Sequence, residues 1–286
     1  MTPRRFRRSL ASLTMAAAVA LGLATGPTAP TAYAAPGNIV TFGDSFVAAP
    51  DQYVAFGLVA PEVAAKYPRT DGCIQAPDNW PRLLAKKTGR EVRDWSCNGT
   101  TSREMLGRID RAIRAGALNS STGVVAMSVG MNNYSPYGFT KDGVNFLDPA
   151  AVRSNYLADL SAAARKIRAV APNAQIILPG MLSVTTNGFF CMVNVVPEMP
   201  LGLPIPVLAD IERWNSTNQR DAASRIGADF IDVKSASAAH SSCTTPDAER
   251  MVSGWLDVTT PNWTMINHPS RKGNHLVADL VAASLR

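Results

Sequence analysis

The stretch N-I-V-T-F-G-D-S-F-V-A-A-P, residues 38–50, joins an apolar run to a glycine, a carboxylate and a hydroxyl. A strand that stops at Phe42 and passes into Gly43 leaves Ser45 at the carboxyl edge of a sheet, where open α/β folds bind their ligands. The same letters also suit an ordinary turn, because Asp and Ser side chains can bond their own backbone. Other parts of the sequence are needed to tell whether Ser45 is a nucleophile or part of an ordinary turn.

Short β-branched runs alternate with amphipathic helical stretches beyond residue 35, which is the pattern of βαβ units on a parallel sheet. A capping box at 101–104 begins one helix, and a cap followed by proline at 148–149 begins another. We predict an α/β protein with one domain, 35–286: a three-layer α/β/α sandwich with a five-stranded parallel sheet. The predicted strands are 38–42, 91–95, 123–129, 175–179 and 229–233.

The segment 189–208 breaks this alternation. It is apolar, but four prolines interrupt it and prevent a long helix. We expect an ordered loop here, and its apolar side chains could form the wall of a groove.

The first 34 residues predict a secretory signal peptide. Four arginines precede an apolar run at 13–23, and A-Y-A at 32–34 forms a cleavage site. Removing this leader lowers the formal charge from +6 to +2, because it takes four arginines and no acidic residue. A surface so close to neutral gives no reason to expect nucleic-acid binding, and we expect no transmembrane segment. We therefore expect a secreted, extracellular protein.

Four cysteines remain after the leader: Cys73, Cys97, Cys191 and Cys243. An even number in an exported chain predicts two disulfides, for which three connectivities are possible. We favour Cys73 with Cys97 and Cys191 with Cys243. No pair has the C-x-x-C spacing of a zinc site, so we expect neither a metal nor a cofactor.

Three further polar stretches follow predicted strands or precede the last helix, at the same edge as Ser45. They contain Gly99, Asn132 and His268. A serine, a glycine N–H, an asparagine amide and a histidine are the nucleophile, the oxyanion donors and the base that acyl transfer requires.

The order Ser, Gly, Asn, His resembles the GDSL family of SGNH hydrolases, and most closely its secreted actinobacterial esterases and lipases. The resemblance rests on G-D-S-F at 43–46, C-N-G-T-T-S at 97–102, G-M-N-N at 130–133 and N-H-P at 267–269. It implies a flavodoxin-like SGNH fold, Ser45 as nucleophile and His268 as base. It also implies an oxyanion hole formed by Ser45, Gly99 and Asn132.

Besides Phe46, which stands where the family motif usually has Leu, the chain departs from the family pattern at two positions that matter for the site. Asn133 stands where the family usually has Asp, and Met265 stands where the family has the acid of its catalytic triad, three residues before the histidine. A backbone carbonyl can hold the same imidazole tautomer. We predict that the Met265 carbonyl orients His268, with the Asp257 carboxylate as the competing candidate.

These residues predict a monomeric serine carboxylester hydrolase that acts on a small-molecule or lipid ester through an acyl-enzyme. Two alternatives remain open. One is a carbohydrate acetylesterase or an acyltransferase, which shares the first half-reaction. The other is a binding module that keeps the fold without turnover, which the absence of an acid at residue 265 makes conceivable.

Overall fold

The structure, a computed structural model, describes residues 37–286, and the predicted leader lies outside the described residues. The strands are β1 (Ile39–Gly43), β2 (Arg69–Thr70), β3 (Cys73–Ile74), β4 (Val92–Asp94), β5 (Val124–Ser128), β6 (Gln175–Pro179), β7 (Phe189–Asn194), β8 (Leu201–Pro204), β9 (Asp229–Ile231) and β10 (Leu256–Asp257). The α-helices are α1 (Ser45–Ala48), α2 (Gln52–Ala55), α3 (Pro61–Ala64), α4 (Trp80–Thr88), α5 (Ser102–Arg114), α6 (Pro136–Asp142), α7 (Pro149–Val170), α8 (Pro206–Ile226), α9 (Val233–Ala236) and α10 (Arg271–Ser284). Two short 3₁₀ helices span Met131–Tyr134 and Asp247–Glu249.

The central sheet has the strand order β4-β1-β5-β6-β9, and all its strands run parallel. The five strands are the five that the sequence predicts, although β4 and β9 are shorter than expected. Because β1 is flanked on both sides, the carboxyl edge of the sheet brings the loops after β1, β4 and β5 together.

Helices cover both faces of the sheet, which completes the predicted three-layer sandwich. Alternate side chains of a strand point to opposite faces. Val40 and Phe42 accordingly lie in one core with residues of α5, α7 and α8, and Ile39 lies in the other core with residues of α4 and α10. Burial of these apolar faces, at about 25 cal/mol per Å², holds the layers together.

The helix signals in the sequence are confirmed. Thr101 and Glu104 form the reciprocal capping box of α5, and Asp148 caps α7 with Pro149 in its first turn. Gly227 ends α8 in the left-handed conformation. Within 37–286, no helix has the length and apolarity that a membrane crossing requires.

The prediction of a loop at 189–208 is wrong, because the segment forms a β-hairpin. Strands β7 and β8 pair antiparallel, and β10 joins β7 to make a small second sheet. The prolines are compatible with strands here because they lie in the connection, at the end of edge strand β8 and in the first turn of α8.

Both predicted disulfides are confirmed. Cys73 is bonded to Cys97, and Cys191 is bonded to Cys243. The first bond fixes the loop after β4, and the second ties the hairpin to the segment that follows α9.

Candidate active site

Ser45 is the first residue of α1, directly beyond the carboxyl end of β1. Gly43 does not have the positive φ of many turn glycines. It is required for space, because a Cβ atom there would lie 2.1 Å from Val47 Cγ2 and 3.0 Å from the Ser128 carbonyl oxygen. The tight passage from strand to helix presents Ser45 at the sheet edge with its side chain partly exposed.

Asp44 caps α1 by accepting a hydrogen bond from the Phe46 N–H at 2.9 Å. Its second carboxyl oxygen is buried without a partner among the described residues. Burial raises the pKa of Asp44 to about 7, and the hydrogen bond from Phe46 only partly opposes this shift. The side chain that precedes Ser45 is therefore harder to ionise than an ordinary aspartate.

Gly99 lies in the loop after β4 with φ +70°, a conformation that disfavours other residues. Its carbonyl accepts a hydrogen bond from Lys141 Nζ at 3.0 Å, and Cys97, two residues earlier, donates its N–H to the Gly43 carbonyl at 3.0 Å. Across residues 37–286, the N–H groups of Ser45 and Gly99 take part in no hydrogen bond of the protein. Both are thus available to an oxyanion.

Asn132 lies in the first 3₁₀ helix, just beyond β5. Its side-chain amide donates one hydrogen bond to the Thr100 carbonyl at 3.1 Å. That bond fixes the amide against the loop of Gly99 and leaves its second N–H for a ligand. The loops after β4 and β5 therefore meet where the sequence predicts the oxyanion hole.

The departure at Asn133 has a local explanation. Asn133 accepts a hydrogen bond from the Ser102 N–H at 3.2 Å, and its amide donates to Ser102 Oγ at 2.8 Å and to Asp142 at 3.4 Å. Ser102 Oγ in turn donates to Asp159. Because two carboxylates already lie in this cluster, an amide that donates suits the position better than a third acid.

His268 is held by the Ile266 carbonyl, which lies 2.8 Å from Nδ1. A carbonyl only accepts, so Nδ1 carries the proton and Nε2 is the basic nitrogen. Nε2 is buried and has no partner in the described part of the chain. Burial lowers the pKa of His268 to about 4, and the hydrogen bond to Ile266 opposes that shift. The imidazole is therefore neutral and able to accept a proton at neutral pH.

Neither of the two candidates for the missing acid accepts a hydrogen bond from the His268 ring. The Met265 carbonyl accepts instead from Ser253 Oγ at 2.9 Å. The Asp257 carboxylate accepts from Asn194, Gly254 and the Thr259–Thr260 turn. Burial raises the pKa of Asp257, but these hydrogen bonds outweigh it and leave the pKa below its usual value. The expectation of a backbone carbonyl is confirmed, and the expectation of residue 265 is wrong.

A single backbone conformation explains why the carbonyl comes from residue 266. Asn267 has φ +57°, in the left-handed region, and its N–H donates to the Gly254 carbonyl at 3.0 Å. The chain therefore reverses between Ile266 and His268, and the Ile266 carbonyl comes within hydrogen-bonding distance of the His268 ring. Asn adopts this region more readily than most residues, which is the only signal in the sequence.

Contacts between their neighbours link the four predicted residues along the sheet edge, although Ser45 Oγ and His268 Nε2 are not hydrogen-bonded to each other. The rings of Phe46 and His268 lie 5.0 Å apart between centroids, which brings the residue after Ser45 against the base. Cys97 bonds β1, and Asn132 bonds the residue after Gly99. Among the described residues, no group of three or more His, Cys, Asp or Glu side chains could hold a metal ion.

Comparison with known proteins identifies the family of this chain. Residues 41–276 match the model of the GDSL-like Lipase/Acylhydrolase family. The chain belongs to this family. It is a carboxylic ester hydrolase of the GDSL type, with the SGNH hydrolase fold.

The chain is also similar to three proteins of Streptomyces. Lipase 2 of Streptomyces coelicolor is 25% identical, over 97% of each chain. The crystal structure of phospholipase A1 from Streptomyces albidoflavus has a TM-score of 0.58 at 18% identity, over 87% of this chain and 98% of that one. The extracellular lipase of Streptomyces rimosus also has a TM-score of 0.58, at 17% identity, over 87% of this chain and 99% of that one.

Proposed function

We propose that this GDSL-type protein is a secreted esterase or lipase that works through a Ser45–His268 dyad. The observation that carries the proposal is the state of His268: Nδ1 is bound to the Ile266 carbonyl, and Nε2 is left without a protein partner. A catalytic base needs this tautomer and a free basic nitrogen.

In the proposed reaction, His268 Nε2 takes the proton of Ser45 Oγ as the oxygen attacks the ester carbonyl. The developing oxyanion accepts hydrogen bonds from the N–H groups of Ser45 and Gly99 and from the Asn132 amide. The imidazolium then returns its proton to the leaving alcohol. Water repeats both steps on the acyl-enzyme and releases the acid.

We also propose that the chain is exported and loses residues 1–34. The leader pattern and two disulfides support this, since disulfides persist in oxidising compartments. Esters of small alcohols or of lipids are the proposed substrates.

The test is hydrolysis of nitrophenyl esters by the mature protein and by Ser45→Ala. We expect turnover by the wild type and none by the variant, because the substitution removes one exposed hydroxyl and leaves the fold intact. Ester turnover by a folded Ser45→Ala protein would refute the mechanism. Acetylated polysaccharide, tested in parallel, separates a carbohydrate acetylesterase from an esterase of simple or lipid esters. Ester binding without turnover by the wild type would point to a binding module.

A further inference from the structure

Phe46 stands where the family motif usually has Leu, and its side chain is partly buried between the base and the interior. On one side its ring contacts the ring of His268. On the other side it borders two small cavities, each with a volume of ≈ 10 Å³. A cavity of that size holds about one water molecule. The space behind the ring is therefore nearly filled.

The two cavities share three walls: Phe46, Met181 and Leu182. The first extends past Met131, the residue before the oxyanion amide of Asn132. The second extends past Pro269, the residue after the base. The Phe46 ring thus lies where the two spaces would join behind the site.

Both cavities lie behind the site, next to Met131 and Pro269, and the first also has polar walls, among them Glu212 and Gln219. The leaving alcohol has to depart and water has to enter, so the alcohol side of the site faces solvent. The acyl chain of a bound ester would then extend inward from the oxyanion hole, past Met131 and toward Met181. The hairpin strands β7 and β8, which the sequence suggested as a groove wall, contribute no residue to either cavity.

We infer that Phe46 sets the acyl-chain length of this enzyme: its ring fills the inner end of the acyl site and restricts the enzyme to short acyl groups, from acetyl to butanoyl. This inference rests on the proposed function. A longer chain would have to displace the ring, and the ring is held against the base. A smaller side chain at residue 46 joins the two cavities into one pocket.

Chain-length profiles of nitrophenyl acetate, butanoate and octanoate test the inference. In the wild type, we expect kcat/KM to fall from butanoate to octanoate. In Phe46→Leu and Phe46→Ala, we expect the ratio of kcat/KM for octanoate over acetate to rise by roughly 10-fold, because the smaller side chain makes room for one or two more buried methylenes, each of which contributes about fourfold. The ratio cancels any loss of overall rate that comes from the contact with His268.

Met181→Ala enlarges the same space without altering the contact with His268, so it should raise the ratio in the same direction even where Phe46→Ala folds poorly. Phe56→Leu, an exposed phenylalanine outside both cavities, is the matched control and should leave the ratio unchanged. A wild type that prefers octanoate, or an unchanged ratio in both Phe46→Leu and Met181→Ala, would overturn the inference. Neither outcome affects the proposed function, which fails only if no ester is hydrolysed.

Discussion

At the scale of the residue, the base is the feature that departs most from a Ser-His-Asp triad. A carbonyl fixes the His268 tautomer as an aspartate would, but it adds no full negative charge to stabilise the imidazolium. The base is consequently a weaker one, and burial lowers its pKa to about 4. The same lowered pKa keeps the imidazole neutral, and so able to accept a proton, at moderately acidic pH.

The pH profile of kcat/KM reports this directly. Activity requires neutral His268, so it is retained as the pH falls through the usual histidine range near 6.5 and is lost only as the pH passes below about 4. We expect an acid limb with an apparent pKa of about 4, measured where circular dichroism shows the protein to be folded. An acid limb near 6.5 would mean that the imidazole is solvated or that a carboxylate contacts it.

Asn132 offers a second test at this scale. Asn132→Ala should lower kcat by roughly 10²- to 10³-fold with little change in KM, because the amide acts on the transition state rather than on the bound ester. Asn98→Ala, an exposed asparagine in the loop beside Gly99, is the control and should keep wild-type kcat. If KM rises while kcat stays constant, Asn132 is a binding residue and its assigned role is incorrect.

The buried carboxyl of Asp44 predicts a pH-dependent stability. Its folded-state pKa of about 7 lies above the ordinary 3.8, so the folded protein binds more protons between those values and loses stability as the pH rises through them. Asp44→Asn keeps the cap acceptor and removes the charge. We expect the free energy of unfolding of Asp44→Asn, measured in denaturant, to increase relative to that of the wild type as the pH rises from 4 to 8. A difference in unfolding free energy between variant and wild type that stays constant with pH would contradict this. Asp51→Asn, at a more exposed N-cap, is the control and should show no such pH-dependent difference.

At the scale of the element, the chain fixes its functional loops by cross-links and caps. Cys191 and Cys243 join β7 to a segment 52 residues away, and Cys73 and Cys97 hold the loop of Gly99. Replacing Cys191 and Cys243 together with Ser should lower the free energy of unfolding by about 2–5 kcal/mol. We expect ester turnover to survive at low temperature, since that bond lies outside the oxyanion loops.

The matched variant, with Cys73 and Cys97 both replaced by Ser, separates stability from positioning. It should lose stability and kcat together, because the Cys73–Cys97 bond ends two residues before Gly99. Equal kcat in the two double variants would show that the oxyanion loop keeps its shape without the disulfide.

The elements also show what the sequence could predict. The five strands, the capping box of α5 and the proline start of α7 are local signals, and each is found where it was predicted. The hairpin at 189–208 was missed because its prolines, which lie in the connection and at the end of β8, suggested a loop, and because β10, which completes its sheet, is more than fifty residues away. The pairing of distant segments is not encoded in a local pattern.

At the scale of the whole molecule, the sheet brings four separate sequence blocks to one edge, and that arrangement followed from the order of strands and motifs. Three features of the site did not. The Ile266 carbonyl depends on the backbone conformation of Asn267, and the packing of Phe46 depends on His268 and on Met181 and Leu182, which follow β6. The partner of Asn133 depends on Asp142 and Asp159 meeting from two other helices. Such contacts arise only in the folded chain.

The central claim is that Ser45 is a nucleophile activated by a carbonyl-held histidine, and labelling with a fluorophosphonate tests it most directly. The reagent requires an activated serine and an oxyanion hole, so it does not depend on the identity of the substrate. Intact-mass and peptide analysis of the labelled mature protein should show a single adduct, on Ser45, and far slower labelling in His268→Ala. No adduct on the folded wild type, or an adduct on another residue, would contradict the account.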